Sequence, residues 1–221
     1  DINTGEKKVF SKEECELGYR DSIFKNKLKD KYFISAITLK LSKIPKPNIS
    51  YKILKEYLDN NKIEIKNPKS ISEAVSAIRR SKLPDPKIIG NAGSFFKNVF
   101  VPARNASRSE AGGEKVTLED LLEKYPQMPY FTEPADVSAL SGKDEIIKIP
   151  TAWLIEECGP EDGTSWKGYR IGNVGVHEKQ ALVLVNYGGA TGQEIKDLAN
   201  KIIDSVDAKF AIKITPEVNL I

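Results

Sequence analysis

Apolar residues recur along this chain at two periods, near 3.6 residues and near two, and the two periods predict different elements. Ile195, Leu198, Ala199, Ile202, Ile203 and Val206 fall at i, i+3, i+4, i+7, i+8 and i+11, the stripe of one helix face. Thr191-Gly192-Gln193-Glu194 precedes them as a capping-box pattern. Its hydroxyl and carboxylate each satisfy an otherwise orphaned N–H of the first turn. A second helix is expected behind Ser70-Ile71-Ser72-Glu73, another capping-box pattern, with Ile71, Ala74, Val75 and Ile78 at helical spacing. It must stop before Leu83-Pro84-Asp85-Pro86, because each proline removes a donor and restricts the residue before it. Ser50–Asn60, Thr117–Tyr125 and Thr151–Cys158 read as shorter helices.

The period of two predicts strands. Lys31–Lys43 carries Phe33, Ile37, Leu39 and Leu41 on one face, while Ile34 on the other suggests burial on both sides. Lys7–Ser11 is a shorter candidate and Gln180–Tyr187 a buried one; Ala211–Ile221 is a strand interrupted at Pro216. Gly90-Asn91-Ala92-Gly93-Ser94 reads as a tight turn after Ile88-Ile89. Ala103–Lys115 and Glu133–Lys143 are polar stretches bearing Gly, Ser or Pro, expected as surface loops. No internal repeat is present. The pattern is α+β, in two unequal parts divided at the proline-rich connector.

Composition narrows the class. A chain of 221 residues, 40% hydrophobic and 29% charged, is too apolar for disorder and too charged for a membrane protein. No apolar run approaches the ~18 residues that span a bilayer, and no signal-peptide pattern opens the chain. Cytoplasm is the default compartment. Cys15 and Cys158 lie far apart, which excludes a disulfide scaffold, and a single histidine, His177, argues against the commonest zinc sites and histidine triads. Charge is uneven: residues 1–100 hold 21 Lys+Arg against 12 Asp+Glu, and residues 101–221 hold 13 against 19. A basic half can mark an anionic partner such as nucleic acid, phosphate or a diphosphate. By itself the signal favours a solvated lysine-rich surface, and no RNA-recognition or zinc-finger signature accompanies it.

Candidate chemistry concentrates at Gly90–Asn98. Two glycines three apart let the backbone turn sharply and approach a ligand, and Ser94 would project from that turn between small neighbours and the anchors Phe95 and Phe96. Neither a Gly-x-Ser-x-Gly elbow nor a phosphate-binding loop matches. With His177 distant, a proton-donor role suits Ser94 better than a nucleophilic one. Arg20 could clamp a carboxylate through its planar fork, or simply pair with Asp21. Arg79, Arg80 and Lys82 could gather phosphate, or merely complement a helix dipole. Glu217 follows Pro216 as a late acidic residue, and His177, beside Glu178 and Lys179, reads as a surface or structural residue.

Read together, several segments resemble the UDP-N-acetylenolpyruvoylglucosamine reductase (MurB) family of flavoenzymes. They are Tyr19–Lys25, Lys82–Lys87, Gly90–Asn98, Ala152–Glu156, Ile171–His177, Gln180–Val185 and Pro216–Asn219, agreeing in order and spacing over nearly the whole chain. The Tyr19-Arg20 segment resembles the family type that keeps a tyrosine-bearing substrate loop. The resemblance implies reduction of the enolpyruvyl ether of UDP-N-acetylglucosamine to UDP-N-acetylmuramate in peptidoglycan synthesis, with hydride passing from NADPH through FAD to C3. Charge then develops at C2 and in its carboxylate, which calls for a proton donor and polar stabilisers.

By the family pattern Ser94 is the donor, and Arg20 and Glu217 hold or polarise the carboxylate. Tyr51, Lys82, Asn98, Tyr130, Lys167 and Gln180 match residues that bind the UDP-sugar, Lys82 and Lys167 suiting its diphosphate. No metal is implied. Asn98-Val99-Phe100 departs from the family's usual Asn-Pro-Val, and Gly159–Ser165 joins the two polar stretches as an insertion. Residues 1–83 are then expected to be the tail of a FAD-binding α+β domain, and 84–221 a C-terminal α+β substrate domain. The family's glycine-rich flavin segments precede the matching region, so this chain, opening on Asp1 without methionine, is expected to be the larger part of an enzyme. In isolation it should bind FAD poorly. The expected partner is the enolpyruvyl UDP-sugar, with no nucleic acid, no membrane and a monomeric chain. Two alternatives stand beside this: a UDP-sugar-binding module without redox activity, and a nucleic-acid binder using the basic half.

Overall fold

The computed structural model describes residues 1–18, 20–103, 116–132, 146–160 and 163–219. They fall into two compact units, residues 1–44 and the described residues from Pro45 onward. The elements are α1 (Lys52–Asn60), α2 (Pro68–Lys82), β1 (Gly90–Ser94), β2 (Val99–Pro102), α3 (Leu118–Lys124) and β3 (Phe131–Thr132). They continue with β4 (Ile146–Ile149), α4 (Thr151–Glu156), β5 (Arg170–Ile171), β6 (Val174–Val176), β7 (Val183–Asn186) and α5 (Gly192–Phe210). All lie in the second unit, and helices with two antiparallel sheets make the fold α+β, as the sequence pattern implies.

The first unit is held by local bonds and one aromatic group. Phe10 meets Phe24 and Tyr32 edge-on at 5.0 and 5.1 Å. The strands expected at Lys7–Ser11 and Lys31–Lys43 are absent: neither stretch is part of a ladder among the described residues. A strand exists only through a partner, and here the apolar side chains face water. Val9 is 91% exposed, Phe33 79% and Leu41 80%.

In the second unit, β1-β7-β6-β5 form one sheet and β2-β4-β3 another. α5 lays Leu198, Ala199, Ile202, Val206 and Phe210 into the core, with Ile195 and Ile203 half-covered, the stripe expected from sequence. Ile149, Leu154, Ile155 and Val176 complete the centre of that core. Gly175 on β6 has no room for a side chain, because a Cβ would stand 2.6 Å from the Tyr169 carbonyl oxygen. A smaller cluster of Leu54, Leu58 and Ala74 joins α1 to α2.

Three expectations need correction. α2 starts earlier than Ser70: Asn67 is its cap, accepting from the Ser70 N–H, and Pro68 opens the helix. Proline suits that position because its missing N–H would be unsatisfied there anyway. Gly90–Ser94 is a strand rather than a free turn, since β7 supplies partners, although a bulge interrupts the pairing between Asn91 and Ser94. Residues 211–219 form no strand; Ile212 and Ile214 are buried and Pro216 makes a single bridge to Phe96. The loops expected over 103–115 and 133–143 lie outside the described residues, apart from Ala103. The connector at Pro84 follows α2 directly, and the units themselves divide between Ile44 and Pro45.

The cap of α5 is complete: the Thr191 hydroxyl accepts from the Glu194 N–H, and the Glu194 carboxylate accepts from the Thr191 N–H at 2.7 Å and its hydroxyl at 2.8 Å. The Thr191 N–H, then its hydroxyl, hold the Glu194 carboxyl below the usual glutamate range. A lowered acid stabilises the fold fully above its unfolded value, and that contribution disappears as pH falls through the folded value. Thr191→Ala should cost about 1 kcal/mol in urea unfolding at neutral pH. Glu194→Gln should remove part of the stability lost on acidification; an unchanged acid limb in that variant would rule the cap out as its source.

Candidate active site

Phe95, Phe96 and Lys97 are the hub around which four of the sequence-predicted residues gather. Phe95 and Phe96 are buried, their rings edge-on at 5.1 Å. That anchors the backbone on either side. Ser94, the exposed last residue of β1, immediately precedes them. The Glu217 N–H donates to the Phe95 carbonyl at 2.7 Å, and the Lys97 N–H donates to the Thr215 carbonyl at 2.9 Å. These two bonds make the Phe96–Pro216 bridge and strap Glu217 alongside the segment that follows Ser94. Buried Ile214 and half-buried Val218 tether the strap at both ends.

Gln180 reaches the hub from the other side. The Phe95 N–H donates to the Leu182 carbonyl at 2.7 Å, and the Gln180 carbonyl accepts from the Val183 N–H at 3.0 Å. His177 belongs to the same turn: its Nδ1 accepts from the Lys179 N–H at 3.3 Å, and burial pushes its pKa down. That bond braces the turn leading to Gln180, and burial disfavours the charged ring that could not accept it.

Asn98 follows the hub. Its Oδ1 accepts from the Thr151 N–H at 3.3 Å, and the Thr151 hydroxyl donates to the Lys97 carbonyl at 2.7 Å. Thr151 is 0% exposed, so these bonds are sheltered from water and join α4 to the hub. Sequence reasoning read Thr151 only as a helix start. Its other function had no local signal, because its partners lie some fifty positions earlier. At the far end of α4, Glu156 pairs with the Lys167 ammonium at 3.0 Å, both about one-third exposed.

The remaining predicted residues belong to other elements. Lys82 ends α2, in a last turn it shares with Arg79 and Arg80, where cations complement the helix dipole. Tyr51 is the exposed N-cap residue of α1, and Tyr130, half-exposed, precedes β3. Arg20 belongs to the first unit. It adopts a left-handed backbone (φ 53°) beside the Gly18–Asp21 bridge, and its carbonyl accepts from the Lys25 ammonium at 2.8 Å. Asp21 accepts from the Ser22 N–H and the Asn26 amide. Tyr19 lies outside the described residues. No cluster of three or more metal-ligating side chains occurs among the described residues, and no helix there is long and apolar enough to cross a membrane.

Chemically, the hub sets a hydroxyl, a carboxyl and two amide side chains around one rigid backbone segment. Such a set can donate a proton and hold an oxygen-rich ligand.

Residues 85–221 match the family described as UDP-N-acetylenolpyruvoylglucosamine reductase, C-terminal domain. A curated relative of that enzyme name from Flavobacterium johnsoniae is 43% identical over 221 residues, covering all of this chain and 58% of the relative. One from Amoebophilus asiaticus is 44% identical over 221 residues, with coverage of 100% and 57%. One from Chromobacterium violaceum is 40% identical over 213 residues, with coverage of 96% and 54%. The chain thus spans somewhat more than half the length of these relatives. With residues 85–221 matching the family's C-terminal domain and relatives 40–44% identical across nearly the whole chain, the chain belongs to the UDP-N-acetylenolpyruvoylglucosamine reductase family.

Proposed function

We propose that this chain serves the NADPH- and FAD-dependent reduction of UDP-N-acetylglucosamine enolpyruvate to UDP-N-acetylmuramate, a cytoplasmic step of peptidoglycan synthesis. The observation that carries the reading is the Phe95–Glu217 backbone bond, which brings the strap bearing Glu217 against the segment that presents Ser94. Reduction of the enolpyruvyl group adds hydride at C3 and leaves charge at C2, shared with the carboxylate. Ser94 gives its hydroxyl proton to C2 and is itself reprotonated from solvent, to which it is exposed. An alcohol is a weak acid, but a carbanion-like centre is basic enough to take its proton. Arg20 and Glu217 hold the substrate carboxylate. Arg20 does so through its planar fork, and Glu217 helps to position and polarise it. Tyr51, Lys82, Asn98, Tyr130, Lys167 and Gln180 are assigned to the UDP-sugar. Lys167 does so in competition with Glu156. Residues 1–83 are assigned to the flavin domain and 84–221 to the substrate domain.

The residues described do not by themselves fit FAD. Two open cavities among the described residues hold about 300 and 260 Å³, the small end of ligand cavities. The first lies between Pro45–Asn48 and Ile65–Pro68, the second along Glu156–Pro160, and Ser94 and Glu217 line neither. In the first unit, Phe33, Ile37, Leu39 and Leu41 are exposed rather than gathered into a cradle. The proton chemistry of Ser94 is independent of the hydride source. This misfit favours a second reading for residues 1–221 alone, a UDP-sugar binder without redox activity.

One pair of measurements separates the readings. Calorimetry on the 221-residue chain should detect the enolpyruvyl UDP-sugar without flavin. The flavin-loaded full-length protein should oxidise NADPH only when that substrate is present. Binding without such oxidation would leave the module reading alone, and failure of both would overturn the assignment.

A further inference from the structure

We infer that Asn91 is the positioning residue for Ser94; the inference rests on the reading of Ser94 as proton donor. β1 pairs with β7 at Gly90–Asn186 and Asn91–Val185, and then again at Ser94–Val183. From Asn91 to Ser94 the chain advances three residues while β7 advances two. One extra residue is therefore accommodated on β1, the arrangement of a β-bulge. Gly93 takes the left-handed conformation this needs, with φ +73°, which glycine adopts without steric cost.

A bulge forfeits ladder hydrogen bonds, and here the Asn91 side chain supplies two others. Its Oδ1 accepts from the Gly93 N–H at 3.1 Å, and its Nδ2 donates to the Ile89 carbonyl at 2.9 Å. Both bonds are part-buried, so they are shielded from competing water. Using both ends of the amide fixes its orientation as well as its place.

The consequence is a matter of phase. Side chains alternate faces along a strand, so removing one residue from the register would turn Ser94 to the opposite face. Phe95 beyond it is buried and tied through its own N–H to Leu182 and its carbonyl to Glu217, so the loss of Asn91 falls on the Ser94 hydroxyl rather than on the strap. Asn91 thus fixes where the serine hydroxyl emerges relative to the carboxyl strap. It does so without touching substrate.

The test uses the flavin-loaded full-length protein. Asn91→Leu removes both bonds at similar volume and should lower kcat for enolpyruvyl reduction by about 100-fold, the cost of misplacing a reacting group by roughly 1 Å. KM and calorimetric affinity for the UDP-sugar should hardly move. Asn91→Asp keeps the acceptor for the Gly93 N–H and should recover most of the lost rate. In a Ser94→Ala background, Asn91→Leu should cost no further factor. A merely structural role would instead lower melting temperature and affinity together, without rescue by aspartate.

Normal kcat in Asn91→Leu beside an impaired Ser94→Ala overturns the positioning role. Normal kcat in Ser94→Ala overturns the donor reading instead. If Asn91→Leu does not fold, Asn91→Ala removes both bonds without bulk and carries the same two outcomes.

Discussion

Ser94→Ala is expected to lower substrate-dependent turnover by about 10²–10⁴-fold, the range attributed to a positioned general acid. The loss should fall on kcat, because in the proposed donor role the hydroxyl acts on charge that exists only after C3 has been reduced. UDP-sugar affinity should persist, since Asn98, Gln180 and the cationic residues remain. Bleaching of the flavin by NADPH should also survive, while recovery of its colour on adding the enolpyruvyl substrate should nearly vanish. Stopped-flow absorbance separates the two events. Normal recovery in Ser94→Ala would remove the serine as donor and pass the task to another group near the hub.

The second large effect is on folding. Phe96 is 1% exposed, stacked edge-on against Phe95 and bridged through its backbone to Pro216. Phe96→Ala should cost about 3–5 kcal/mol, the transfer free energy of the ring plus the cavity it leaves. Against the usual total of about 5–15 kcal/mol, that can unfold a large share of the molecules. Urea titration of the 221-residue chain measures it. Phe96→Leu fills part of the space and should fold, yet still loosen the strap that holds Glu217. Its UDP-sugar affinity should therefore fall more than its stability. A stable Phe96→Ala protein with unchanged affinity would show that the hub does not organise the site.

What the sequence revealed follows from the range of each interaction. The α5 helix was legible because its stripe and its Thr191–Glu194 cap are written within one local segment. Leu118–Lys124 was legible for the same reason, with Thr117 and Asp120 closing its cap. Lys31–Lys43 was legible as apolar but not as a strand, because alternation records faces and says nothing of partners. At Gly90–Ser94 the glycines pointed to a turn and the pairing with β7 made a strand. The bulge reconciles the two, keeping the glycine conformation inside the ladder. Ser94 is marked by its glycine-rich segment, whereas Glu217 reads locally as no more than a late acidic residue. The approach of Ser94 and Glu217 depends on two backbone hydrogen bonds between distant segments, which no local pattern encodes. Asn91 and Thr151 were passed over because each acts through main-chain atoms of other residues.

The two cysteines are also set up differently. Cys158 is buried, its Sγ turned toward the Ser205 carbonyl at 3.5 Å, and burial pushes its thiol above the usual range. Cys15, in the first unit, is only half-covered. Thiol reagents require the thiolate and access to it, so a maleimide dye at neutral pH attaches to Cys15 and spares Cys158. The native chain thus offers a single attachment point for a fluorophore. It lies in the unit that carries Arg20, far in sequence from the hub around Phe96. A change in the dye's emission on adding a UDP-sugar would report an effect on that unit without altering one residue.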